Sequence, residues 1–158
     1  MSNLQLAKVR KLVIGAGAAA AIALPLALVT TPAQAATLSG CTVTPLAPVV
    51  VGQVAGQPLV RFSTRVTCVQ DRIVQIRDDR RESDAPAGIA GDDSYGQTVY
   101  LQTFAAPATI VLSTNDVVTS TENSNEEVYH RTSFRVATIG GTSAWTSFQN
   151  SPVRSIDN

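Results

Sequence analysis

Val60-Arg61-Phe62-Ser63-Thr64-Arg65-Val66-Thr67-Cys68 decides the fold class. Val60, Phe62, Thr64, Val66 and Cys68 fall on one side of an extended chain, and Arg61, Ser63, Arg65 and Thr67 on the other. A period of two marks a strand with one buried and one wet face. The same alternation recurs from Val128 to Ile139 and again from Gln97 to Phe104, with Val99 and Leu101 among polar residues and Tyr100. Arg72–Asp78 reads as a strand around Val74 and Ile76. Thr109–Thr114 is short and β-branched, and Ala144–Gln149 carries Trp145 and Phe148. Two weaker runs, Thr42–Thr44 and Pro48–Val51, come first, and their prolines suit an edge, where a missing N–H costs little. No stretch sustains a helical period. Roughly seven short strands separated by turn residues predict an all-β, antiparallel β-sandwich of immunoglobulin-like architecture.

The best local signal is a hairpin at Gly140-Gly141, where two glycines supply positive φ at little steric cost. Pairing Ile139 with Thr142 would set Val136 opposite Trp145 and Phe134 opposite Ser147. Val128, Phe134, Val136 and Trp145 would then share the core face, and Phe148 would lie on the other face with Arg131 and Arg135. The two longest connections, Arg80–Gly96 and Asp116–Glu127, are where function would concentrate.

The beginning of the chain is different material. Lys8, Arg10 and Lys11 precede an uncharged apolar run from Leu12 to Val29, and Ala33-Gln34-Ala35 offers small residues at the positions a signal peptidase reads. Residues 1–35 are therefore expected to be a cleaved export signal and 36–158 a single secreted domain. The competing readings are a retained membrane anchor, since 18 apolar residues could just span a bilayer, and a lipid anchor at Cys41 after Leu38-Ser39-Gly40. The lipid motif lies too far past the apolar run, and it would strand Cys68 as an odd thiol. Two cysteines outside the cell make a disulfide the simpler expectation. Their spacing departs from antibody-type domains, in which the bridge pins central strands of opposite sheets.

The whole chain balances 12 basic against 12 acidic residues. Removing residues 1–35 leaves nine Arg, no Lys and all twelve acids, a formal charge of 9 − 12 = −3. That balance excludes the basic footprint of a nucleic-acid binder, and the apolar content excludes a disordered chain. Arg without Lys is what a GC-rich bacterial coding sequence produces.

Few residues point to chemistry. His130, the only histidine, follows Glu126-Glu127-Val128-Tyr129, so a carboxylate could orient it as a general base. No Gly-x-Ser-x-Gly context accompanies it. Acids cluster at Asp78-Asp79, Glu82, Asp84 and Asp92-Asp93; solvated loop acids paired with Arg77, Arg80 and Arg81 are expected, with calcium at Gly91-Asp92-Asp93-Ser94 as the alternative. No cofactor is implied, and two thiols with one His make a poor zinc site. Arg61-x-Ser63-x-Arg65 is echoed by Arg131-x-Ser133-x-Arg135. If both strands share a sheet, Arg61, Arg65, Arg131 and Arg135 form a flat cationic patch suited to carboxylate or phosphate groups. The expected function is a secreted non-catalytic module binding an anionic cell-envelope polymer or a secreted protein. The alternatives are an inhibitor of another protein that uses the 80–96 loop, and a small extracellular hydrolase using His130.

Overall fold

The computed structural model describes residues 33–83, 93–119 and 125–157. Residues 1–32 of the expected export signal, and the 84–92 and 120–124 parts of the two long connections, lie outside them. The described residues are all-β: β1 Ala36–Leu38, β2 Cys41–Pro45, β3 Val49–Val54, β4 Gln57–Cys68, β5 Arg72–Glu82, β6 Ser94–Phe104, β7 Ala108–Val117, β8 Glu126–Thr138, β9 Gly141–Thr142, β10 Gln149–Asn150 and β11 Arg154–Ile156. Every pairing is antiparallel. The first sheet centres on β4. One edge of β4 pairs β7, and the other is divided between β2 at Thr64–Cys68 and β3 at Gln57–Arg61, with β1 outside β2. The second sheet runs β6-β5-β8, and the far edge of β8 is shared by β9, β10 and β11.

The alternation in β4 is realised without a break. Val60, Phe62, Thr64, Val66 and Cys68 are fully buried, while Arg61 and Arg65 are exposed. Two apolar clusters draw on both sheets. One joins Val43 and Val66 of the first sheet to Val74, Ile76, Phe104, Phe134 and Val136 of the second. The other joins Val60 and Phe62 to Val128 and Ile156. Cys41 and Cys68 form a disulfide between register partners of β2 and β4, Cα atoms 4.1 Å apart, inside the first cluster. The bond occupies the sulfur that a lipid anchor at Cys41 would need.

The early proline-bearing runs become β2 and β3. β1 reaches along β2 only to Val43, which leaves Pro45 an open side. In β6 the apolar Val99 and Leu101 lie on the exposed face, and Thr98, Tyr100, Gln102 and Phe104 turn inward.

Three local expectations are corrected. β5 does not stop at Asp78 but runs to Glu82, so Asp78, Asp79, Arg80 and Glu82 are buried strand residues rather than solvated acids with a loop arginine beside them. Each of the first three finds a charged or hydrogen-bonding partner, which lets the strand continue. The hairpin turns at Ile139-Gly140, one residue earlier than expected, with Thr138 opposite Gly141 and Ala137 opposite Thr142. Only Gly141 of the pair has positive φ, at 126°. Finally, 144–148 is not a strand. Ser143 Oγ accepts from the Val136 amide at 3.0 Å and Thr146 Oγ1 from the Phe134 amide at 3.0 Å. These hydroxyls replace ladder carbonyls, and the register slides from Val136 opposite Ser143 to Thr132 opposite Gln149. The extra residues bulge outward, so Trp145 leaves the core that the ideal hairpin would have given it.

Replacing both Cys41 and Cys68 with Ser should lower unfolding free energy by about 3–4 kcal/mol, the loop-entropy value for a closed loop of this length. Denaturant unfolding of the oxidised protein against the double variant measures it.

Candidate functional site

The inner face of the second sheet is apolar at one end and polar in its middle. Register pairs along β5 and β8 read Val74–Val136, Ile76–Phe134, Asp78–Thr132, Arg80–His130 and Glu82–Val128. His130 is fully buried. Its Nδ1 lies 2.8 Å from Asp78 Oδ1, its Nε2 lies 2.8 Å from the Leu46 carbonyl, and its ring meets Phe62 edge-on at 5.7 Å. A carbonyl only accepts, so Nε2 carries a proton and donates it to Leu46. One further proton lies between Nδ1 and the carboxyl, so ring and carboxyl together carry no net charge. That neutrality is what allows an acid and a base to be buried side by side. In a hydrolase triad the second ring nitrogen faces the nucleophile. Here a backbone carbonyl takes it and the ring has no exposure. Asp78, and not Glu126 or Glu127, is the carboxylate on the ring.

Further bonds cross between the sheets beside this pair. Arg80, 5% exposed, directs Nε to the Asp116 carboxylate at the end of β7 and donates from Nη1 to Thr98 Oγ1 at 2.7 Å. Gly96 lies opposite Arg80 with φ 136°, and a Cβ there would come within 3.1 Å of the guanidinium, so this position of β6 needs glycine. Tyr100 of β6 hydrogen-bonds Thr114 of β7 through its hydroxyl. Burial pushes the Tyr100 phenol above its ordinary value of 10.0; the Thr114 bond and Arg80 act against this, and Asp78 and Asp116 add to it.

The outer face of the second sheet is of another kind. From Gln75 to Arg81 on β5 and from Tyr129 to Arg135 on β8 it carries four guanidinium groups and one carboxylate. The carboxylate, Asp79, accepts from Arg81 Nε at 3.0 Å and Arg131 Nε at 2.9 Å. Arg135 Nε donates to Gln75 Oε1 at 2.7 Å. The 143–148 segment lies across this row. The guanidinium carbons of Arg77 and Arg135 stand 3.7 and 4.8 Å from the Trp145 ring centre, and that of Arg131 stands 4.6 Å from Phe148. Among the described residues neither Arg77 nor Arg135 forms an ion pair.

The four arginines singled out in the sequence do not share a sheet. Arg131 and Arg135 are on β8, while Arg61 and Arg65 are on β4 of the first sheet, Arg61 donating to Asn115 Oδ1 at 3.3 Å. Sequence reasoning gave Arg77 to the neighbouring acids, with which it forms no ion pair among the described residues, and missed its contact with Trp145. The alternation Gln75-x-Arg77-x-Asp79-x-Arg81 was the available signal for Arg77. No group of three or more His, Cys, Asp or Glu among the described residues could hold a metal. Gly91 and Asp92 of the calcium alternative lie outside the described residues. No family model and no curated protein matches the chain.

Two outcomes follow from the interior. Asp78→Ala leaves His130 Nδ1 buried without its partner and should cost about 3–5 kcal/mol of stability, read from the denaturant midpoint. For Tyr100, a neutral form favoured by folding contributes stability that is fully present below pH 10.0 and lost as pH rises through the raised value. An ultraviolet phenolate titration of the wild type against Tyr100→Phe should show the missing transition above the ordinary range.

Proposed function

We propose that the chain is exported, folds as a β-sandwich of immunoglobulin-like architecture, and works as a non-catalytic binding module. Its outer β5–β8 face would meet an anionic partner, either a cell-envelope polymer or a secreted protein. Apolar clusters drawing on both sheets support the sandwich, and the disulfide suits an oxidising compartment. β1 begins at Ala36, directly past the expected cleavage after Ala35.

The observation that carries the binding reading is the Arg77–Trp145–Arg135 group. Two guanidinium groups are held against one indole ring, and among the described residues no carboxylate is bonded to either. Contact with the ring orients the groups and partly strips them of water while leaving fork hydrogens for a ligand. An anion presenting paired oxygens, carboxylate or phosphate, satisfies those hydrogens bidentately. Phe148, 37% exposed beside Arg131, extends the face with an apolar surface.

Trp145 is the only tryptophan, so its emission reports this face directly. Titration with a polyanionic glycan or glycerol-phosphate polymer should change that emission, and added salt should weaken the effect. Arg77→Gln and Arg135→Gln should each weaken binding by about tenfold, the loss of one charge-assisted hydrogen bond. Arg61→Gln should leave it unchanged. Equal loss in the Arg61 variant, or emission unmoved by any polyanion, would overturn the assignment.

A further inference from the structure

The inner face of β4 packs against that of β8. Phe62 of β4 touches the His130 ring at 5.7 Å, and two levels on, Val66 and Phe134 share the first apolar cluster. On the same inward faces Thr64 falls midway between Phe62 and Val66, and Thr132 midway between His130 and Phe134, so the spacing places the two threonines opposite each other. Asp78 is the cross-strand partner of Thr132 on the same inward face, which sets their Cβ atoms about 5 Å apart. One layer therefore collects three buried side chains from three strands and both sheets: Thr64 and Asp78 fully buried, Thr132 1% exposed.

Each of the three has a polar atom without a hydrogen-bond partner: Thr64 Oγ1, Thr132 Oγ1 and Asp78 Oδ2. The other oxygen of Asp78 is committed to His130. A single buried hydroxyl in this state is tolerable, but three in one layer is a pattern, because buried polar atoms are almost always satisfied. We propose that this layer is a binding site for one internal water molecule, which bridges Thr64, Thr132 and Asp78.

Water fits the chemistry where other small ligands do not. It can donate one hydrogen to Asp78 Oδ2 and another to one threonine hydroxyl, and accept from the second threonine, which gives it three bonds, the usual number for an internal water. An anion would face the carboxyl oxygen. A calcium ion would need six or more oxygens, and the charge-neutral Asp78–His130 pair calls for no counter-ion. The lack of exposure excludes an organic molecule. The bridged water ties β4 of the first sheet to β5 and β8 of the second, beside the direct bond from His130 to Leu46. The site is independent of the binding face on the sheet exterior.

A high-resolution crystal structure of the secreted protein tests the site directly, and oxygen-17 relaxation dispersion in solution tests it independently. The expected result is one ordered water at about 2.6–3.2 Å from all three oxygens, together with a long-lived water signal that Thr132→Val abolishes. That variant should also melt at a lower temperature than wild type, because it leaves Asp78 Oδ2 and Thr64 unbridged. The proposal is overturned if the three oxygens bond to one another or to strand carbonyls with no water between them, or if a cation occupies the site. It is equally overturned if Thr132→Val raises the melting temperature with the water signal unchanged. Should Thr132→Val fail to fold, the wild-type density alone decides.

Discussion

Everything in this protein has to accommodate a band of ionisable side chains placed between apolar clusters. Asp78, Arg80 and His130 all point inward, where an unpaired charge would cost more than the neighbouring valines return. The structure meets that constraint by pairing every one. Asp78 meets His130, His130 meets the Leu46 carbonyl, and Arg80 meets Asp116. Because Leu46 and Asp116 belong to the first sheet and its connections, pairing the charges also joins the two sheets. Hydrophobic burial supplies most of the driving force, and the polar band determines how the faces are set against each other: a slip of one residue in β5 would turn Asp78 outward and Arg77 inward.

The exterior follows from a second local substitution. Past the Ile139-Gly140 turn, Ser143 and Thr146 hydroxyls take the place of strand carbonyls along β8. An ordinary ladder there would have held Trp145 over the core. The bulged path carries it to the outer face, where Arg77 and Arg135 receive it. The same sequence feature thus removes an aromatic from the interior and furnishes the surface with its most distinctive group.

Much of this was readable in advance, and the failures have a common cause. The alternation in 60–68 and 128–138 translated into buried and exposed faces almost residue by residue, since apolar burial is a local rule applied at period two. The disulfide followed from cysteine number and the expectation of export. Asp79-Arg80-Arg81-Glu82 was misread because a run of charged residues looks like a loop until partners 36 to 52 residues away are known. His130 suggested catalysis for the same reason: sequence shows the imidazole but not the carbonyl that occupies its second nitrogen. Trp145 was misplaced because side-chain hydroxyls standing in for a ladder leave no period to detect. Arg61, Arg65, Arg131 and Arg135 were read as outward and do leave the inner faces, but which sheet each row belonged to depends on strand order, which alternation does not encode.

A double-mutant cycle on the Asp78–His130 pair tests most directly whether pairing within the buried band governs stability. Asp78→Leu and His130→Phe would be measured singly and together by denaturant unfolding. The account predicts that each single change destabilises strongly and that the double variant loses less than the sum, with a coupling of about 1–3 kcal/mol. Strictly additive losses would contradict it, since each side chain would then contribute to the interior without regard to the other.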